Sequence, residues 1–410
     1  MNTFVNEPIY CVGTGIISSI GANVQEFSNA LKNGVSGISW LKGYENSELP
    51  MRIGAQIPDF SFTNIKVARR SPFTIQTSVI AVVEAWHQAR LSENQVEPER
   101  IGLVIAGQNT TQNYQYALHA KFIEHPEYLS PRYALQFLET DQVGVISEIF
   151  NIQGEGFVVG GASASGNVAI IKAQQLIQAG IVDVCLVVGV VADLSPMDIQ
   201  GFYNIGAMGA REFKHQPEKA SRPFDDKHEG FIYGQASGCL VLESASSMER
   251  RKITPNAELL GGSLCLAGNS TSEPNLAAEV KVMKTAIKQS HISSDRIDYL
   301  NAHGSSSPLG DQVEVEAIIS VFGGNNKNLL INSTKGLIGH CLYSAGVVEA
   351  IATIVQMQNN FIHPNKNLEN PISDSCQFSG GVSIDKKITY AMSNSFGFGG
   401  INTSIILKSF

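Results

Sequence analysis

The stretch Ile181-Val182-Asp183-Val184-Cys185-Leu186-Val187-Val188-Gly189 constrains the fold more than any other part of the chain. As a strand it is apolar on both faces, so it must be covered on both sides, which is the signature of a strand sandwiched between helical layers. Just before it, small residues from Gly160 to Gly166 lead into Val168-Ala169-Ile170-Ile171-Lys172-Ala173-Gln174-Gln175-Leu176-Ile177, which reads as a largely buried helix stopping at Gly180. A turn, helix and buried strand at this spacing predict a layered α/β protein. Ile9 to Gly15 reads as a short buried strand ending in a glycine turn, followed by a helix over 23–33. Helical periodicity returns over 72–90, 279–290 and 312–321, and apolar strands are expected at 101–107, 238–243, 297–302 and 329–333.

The chain has 410 residues, more than one typical domain, so two similar halves or one large α/β unit are the natural expectations. The division adopted is 1–250 and 251–410, although no internal repeat is visible in the letters. The longest apolar run, Ile181 to Ala192, is too short to span a bilayer and carries Asp183. Met1 to Glu7 shows no basic start followed by an apolar segment, so no leader is expected. Six cysteines lie scattered without a CxxC pair, which suits buried thiols in a reducing cytoplasm. A net charge of −8 without a basic, aromatic-rich stripe argues against nucleic acid. No metal-ligand spacing such as HExxH occurs.

Three further segments carry chemistry: Asn301-Ala302-His303-Gly304-Ser305-Ser306-Ser307-Pro308, Ser333-Thr334-Lys335-Gly336-Leu337-Ile338-Gly339-His340 and Asn394-Ser395-Phe396-Gly397-Phe398-Gly399-Gly400. Either histidine alone is compatible with an ordinary loop residue. In this order they closely resemble the two histidine motifs and the C-terminal glycine-rich loop of the β-ketoacyl synthases. The resemblance runs from Gly13 to Asn402. It implies a thiolase-like five-layered αβαβα fold of two duplicated halves, usually a homodimer, acting on an acyl carrier protein. The cofactor it implies is the phosphopantetheine arm brought by that carrier, with none held by the enzyme.

Decarboxylation of a malonyl thioester leaves an enolate whose oxygen needs preorganised donors, and His303 and His340 are the candidates for that hole. Such donors require the other ring nitrogen of each imidazole to be held. Lys335 is expected to support them by charge and hydrogen bonding, with Asp311 or Glu314 as its partner; the resemblance favours Glu314. Ser305 and Ser307 stand where the family carries threonines that bind the pantetheine arm, keeping the hydroxyls and losing the methyls. Phe398 resembles the family's gating phenylalanine and Phe202 another wall of the pocket, aromatic faces that would desolvate the malonyl carboxylate.

The family's cysteine nucleophile is missing. Val159-Gly160-Gly161-Ala162-Ser163-Ala164-Ser165-Gly166-Asn167 places Ser163 there, and the segment lacks the closing glycine of a Gly-x-Ser-x-Gly elbow. A serine hydroxyl stays far less acidic than a thiol at a helix start, and no base is evident to activate it. The combination resembles the serine-containing decarboxylases of polyketide β-branching cassettes, which turn malonyl-carrier protein into acetyl-carrier protein. A chain-extending synthase using Ser163 and a non-catalytic subunit resembling a chain-length factor are the competing readings; retention of His303, Lys335 and His340 argues against the second. Carrier proteins are acidic, so Lys66, Arg69 and Arg70, extended by Arg211, form the expected docking patch. Ser221-Arg222-Pro223 matches a family signature assigned to folding, and Gln235 stands where the family usually has an acid, without an evident role.

Overall fold

A computed structural model describes residues 7–43, 49–62, 65–93 and 95–410. Met1 to Asn6, where no leader is expected, lie outside the described residues. Strands β1 (Ile9–Ser18), β2 (Ile101–Ala106), β3 (Gly156–Val159), β4 (Val184–Gly189), β5 (Ala236–Ser244), β6 (Ala257–Leu266), β7 (Tyr299–Asn301), β8 (Leu330–Asn332), β9 (Tyr390–Gly397) and β10 (Ile401–Ser409) make one sheet, ordered β8-β7-β9-β10-β6-β1-β5-β4-β2-β3.

That order is one five-strand pattern written twice. Counting strands within β1 to β5, and again within β6 to β10, each set runs third, second, fourth, fifth, first from its outer edge. Strand senses match as well: the outer two pairings are parallel and the inner two antiparallel in both sets. The first strands of the two sets meet antiparallel through Ile9–Leu259, Tyr10–Glu258 and Cys11–Ala257. Duplication invisible in the letters is therefore explicit in the topology.

Five helices complete the layers: α1 (Phe73–Gln88), α2 (Ser165–Gln178), α3 (Leu276–Gln289), α4 (Pro308–Phe322) and α5 (Ala345–Asn359). Helix α1 packs on β1 and β5, while α3 packs on β6 and β10 and against α4. Between the two halves of the sheet lie α2 and α5, touching each other and strands of both sets. Every residue of α5 from Ala345 to Met357 is buried, as expected of a predominantly apolar helix covered on all sides. The result is the five-layered αβαβα arrangement.

The two central helices cross at glycines. A Cβ on Gly166 would lie 2.5 Å from the Val347 nitrogen and 2.7 Å from the Gly346 Cα, both backbone atoms that cannot swing away. Gly166→Ala should therefore lower stability by about 1–3 kcal/mol, read as a reduced denaturation midpoint with unchanged slope.

One expectation needs correction. The first strand does not end at Gly13-Thr14-Gly15 but runs on to Ser18. Gly13 and Gly15 face α1 so closely that any side chain would collide with the carbonyls of Ala85 and Ala81. They permit close helix approach rather than a turn. Elsewhere the expected helices and strands form, with ends differing by a few residues. All six cysteines are free, and no helix among the described residues is long and apolar enough to cross a membrane.

Candidate active site

Small residues build an abrupt bend into α2. Ala162 adopts φ +47° ahead of Ser163, a left-handed conformation that a non-glycine residue holds only when its surroundings insist. Ser165 supplies the insistence: its Oγ donates to the Ala162 carbonyl at 2.7 Å and accepts the Gly161 N–H at 2.9 Å. A short 3-10 turn over Ala162–Ala164 then runs directly into α2. The same construction precedes α5, where Leu342 has φ +50° before a 3-10 turn over Leu342–Ser344. The two bends are related by the duplication.

Ser163 lines a cavity of about 630 Å³ together with His303, His340, Phe202, Phe398, Ser305 and Ser307. Motifs more than a hundred residues apart thus converge on one space. Its aromatic wall is continuous, with Phe202 6.5 Å from Phe398 and 5.4 Å from Phe231, and Phe231 edge-on to His340 at 5.4 Å between ring centres. Phe398 remains 39% exposed.

Backbone contacts settle which imidazole nitrogens carry protons. Nδ1 of His340 accepts the Leu342 N–H at 3.2 Å, and Nδ1 of His303 accepts the Phe396 N–H at 3.4 Å. Each ring therefore carries its proton on Nε2, and the two rings sit 5.5 Å apart. Burial holds both histidines well below the ordinary imidazole range, with the Lys335 charge adding to the effect and His340 adding further at His303. Neutral Nε2–H donors are what an enolate oxygen needs. Nε2 of His340 lies 2.9 Å from Ser163 Oγ, and because that nitrogen is the donor, the serine oxygen accepts. His340 is thus no base for Ser163.

The expected partner of Lys335 is corrected by the structure. Lys335 Nζ forms a buried ion pair with Glu349 and donates to the His303 carbonyl at 2.6 Å. Glu314 instead accepts the backbone N–H groups of His303 and Gly304 at 2.8 and 2.7 Å and the Asn394 amide at 3.2 Å. Burial raises its carboxyl to about 7 against these donors. Asp311 accepts the N–H groups of Ser306 and Phe224 at 3.1 and 2.8 Å, with His228 Nδ1 3.1 Å away. Both acids hold N–H groups of the His303 loop because α4 begins directly after it, and Asp311 also ties in the Phe224 backbone. Glu349 escaped the sequence reading, although a lone acid within the apolar run Ala345 to Val355 has to find a partner.

Supporting residues fall into place around this pair. Ser221 Oγ donates to the Lys335 carbonyl at 2.8 Å, and buried Arg222 bonds Asp225 at 2.8 Å. Gln235 accepts the Ile57 N–H at 3.1 Å and donates to the Tyr233 hydroxyl at 2.9 Å, a packing duty. Lys66, Arg69, Arg70 and Arg211 are all exposed and none lines the cavity; Arg211 lies 5.7 Å from the Tyr203 ring centre.

His363 is a further residue the sequence reading passed over. Fully buried, it donates from Nδ1 to the Pro364 carbonyl at 2.9 Å, and its Nε2 accepts the Thr334 hydroxyl at 3.2 Å, beside Lys335. Burial lowers its pKa to about 4, below the unfolded value. Its contribution is complete above the unfolded pKa near 6.5 and is lost as pH falls toward 4, where the unfolded chain takes up a proton that the folded one refuses. The stability gap between the wild type and His363→Gln should therefore narrow by roughly 3 kcal/mol from pH 7 to pH 4, measured by denaturant unfolding of both proteins.

Comparison with known proteins agrees with this geometry. The model of the β-ketoacyl synthase N-terminal domain matches residues 6–247 and that of the C-terminal domain residues 234–369. The polyketide biosynthesis malonyl-ACP decarboxylase PksF of Bacillus subtilis (strain 168) is 35% identical, over 98% of this chain and 96% of the relative. The 3-oxoacyl-[acyl-carrier-protein] synthase 2 of Coxiella burnetii is 29% identical over 98% of each chain. Among solved structures, a β-ketoacyl synthase from Burkholderia phymatum STM815 superposes with a TM-score of 0.88 at 26% identity, covering 98% of this chain and all of that one. A type II polyketide ketosynthase in complex with its acyl-carrier protein reaches 0.89 at 24% identity over 98% and 99% of the two chains, a likeness of fold. Matched along nearly its whole length, with its histidine and glycine-rich motifs gathered at one cavity, the chain belongs to the β-ketoacyl synthase family.

Proposed function

We propose that the protein decarboxylates malonyl-acyl carrier protein to acetyl-acyl carrier protein and does not condense. The observation that carries this reading is the Ser163–His340 contact, in which the imidazole keeps its proton on Nε2 and leaves the serine without a base. The carboxylate of a bound malonyl group faces Phe398 and Phe202, sheds its hydration and leaves as carbon dioxide. The electron pair moves to the thioester oxygen, which His303 and His340 hold by their Nε2–H groups. No thiolate waits to have been acylated, so the enolate has no acyl partner and ends as acetyl.

The similarity to a decarboxylase named for polyketide biosynthesis supports a place in β-branching, with the acetyl-carrier passed to an enzyme resembling hydroxymethylglutaryl synthase. Lys66, Arg69, Arg70 and Arg211 receive the acidic carrier, and Ser305 and Ser307 contact its phosphopantetheine arm, the only cofactor the reaction requires. The protein works in the cytoplasm as a homodimer, for which the outer edge of β3, unpaired among the described residues, and the exposed apolar side chains of Tyr116 and Phe122 provide surface.

Intact mass spectrometry of malonyl-loaded carrier protein tests the reading. Enzyme-dependent loss of carbon dioxide from the carrier-bound malonyl group supports it; a malonyl-carrier that persists across several carrier proteins overturns it.

A further inference from the structure

A condensing enzyme must keep acids away from its enolate, because protonation wastes the carbon nucleophile. A dedicated decarboxylase has the opposite need, since its enolate becomes acetyl only when a proton reaches the α-carbon. The imidazoles are poor sources: each is neutral, and giving up its Nε2 proton would make an anion at the moment that proton is holding the enolate oxygen. Lys335 is committed to Glu349 and the His303 carbonyl and does not line the cavity.

Three carboxyl groups line the cavity among the described residues: Asp198, Glu273 and Glu279. Asp198 is occupied in a capping box, accepting from the Ser195 N–H and hydroxyl at 2.8 and 2.7 Å. Glu273 is exposed. Glu279 differs from both. It is 1% exposed, and among the described residues its Oε2 has no hydrogen-bond partner. The usual duty of an acid in a first helical turn is to serve free N–H groups. Asn275 already caps α3 by accepting the Ala278 N–H at 2.9 Å, and among the described residues no such bond reaches the Glu279 carboxyl.

Its place within the site is fixed by the helix. Met283 lies one turn along α3 from Glu279 and touches the Asn394 amide at 3.4 Å, and the same amide donates to Glu314, which holds the His303 backbone. Glu279 and Met283, four residues apart, share that face of α3. Burial and the neighbouring Glu314 both favour the protonated form of Glu279.

Resting on the decarboxylase reading, we propose that Glu279 is the acid that delivers the proton to the α-carbon. The bond between the carboxylate carbon and the α-carbon breaks, and its electron pair forms the enolate. The enolate α-carbon then takes the proton from the Glu279 carboxyl, giving the acetyl thioester and a Glu279 carboxylate. A proton taken up from solvent after product release restores the acid, so each turnover consumes one solvent proton and releases one carbon dioxide.

The test compares wild type, Glu279→Gln and Glu279→Ala on malonyl-carrier, following acetyl-carrier formation by intact mass alongside thermal melting. Glu279→Gln should retain the wild-type melting temperature and KM while kcat falls about 100- to 10,000-fold, the usual range for loss of a general acid. Formic acid should restore part of the rate to Glu279→Ala and none to Glu279→Gln, whose side chain fills the space. Wild-type kcat in Glu279→Gln, or a slow Glu279→Ala that small acids fail to rescue, overturns the proposal while leaving the decarboxylase reading intact. A wild-type enzyme that forms no acetyl-carrier defeats the decarboxylase reading itself, and this proposal with it.

Discussion

Replacing His303 or His340 by alanine is expected to slow acetyl-carrier formation by about two to three orders of magnitude, whereas Ser163→Ala should stay within about threefold of wild type. The asymmetry follows from who donates. Both imidazoles carry Nε2 protons because backbone N–H groups occupy Nδ1, so under the proposed decarboxylation each offers one fixed donor to the enolate oxygen. Ser163 only accepts from His340, and removing it frees that donor. The double variant His303→Ala/His340→Ala should lose less than the product of the single losses, since both donors address one oxygen. Initial rates from carrier masses distinguish these outcomes, and a Ser163→Ala enzyme as slow as the histidine variants would show that the serine takes part in the chemistry.

Glu349→Ala is expected to have the largest effect on stability, about 3–5 kcal/mol, because it strands a buried ammonium. Lys335 and Glu349 are both nearly inaccessible, and the pair joins α5 to the backbone of the His303 loop through the Lys335 bond to the His303 carbonyl. Burial raises the Glu349 pKa despite the lysine, a sign of how costly this environment is for charge. The apolar pair Lys335→Met/Glu349→Leu should recover most of the lost stability, since breaking a buried pair costs far more than replacing it. It should not recover activity, because the His303 carbonyl then has no ammonium to hold it. Guanidinium unfolding of the wild type and the two variants, with rates measured well below each midpoint, separates the two effects.

Much of this site was legible because its parts sit on local signals. His303, His340, Ser163 and Phe398 each lie at the end of a strand or beside a glycine turn, where a motif can be recognised from neighbours in the chain. Glu349 and Glu279 were not legible, for different physical reasons. Glu349 meets Lys335 only through the packing of α5 beneath the second histidine motif, and a single acid in an apolar helix announces a partner without saying which. Glu279 occupies a first helical turn, where acids usually serve the helix end, and only the missing bond distinguishes it. Tautomers depended on the N–H groups of Leu342 and Phe396, which no sequence pattern reveals. At fold level, the buried strand and helix pattern identified the α/β class. Gly13 and Gly15 misled because glycine serves turns and close helix approach equally well, and only the position of α1 decides between them. The duplication survived in strand order and sense, which depend on apolar pattern and connectivity, after the letters themselves had diverged.

On the proposed reading, decarboxylation here is separated from carbon–carbon bond formation. Its most direct test supplies malonyl-carrier and an acyl-carrier acceptor together and follows enzyme and carrier masses over time. The expected result is acetyl-carrier as the product, an enzyme of unchanged mass and no lengthened chain. An acyl adduct on Ser163 together with a β-ketoacyl-carrier product would contradict it.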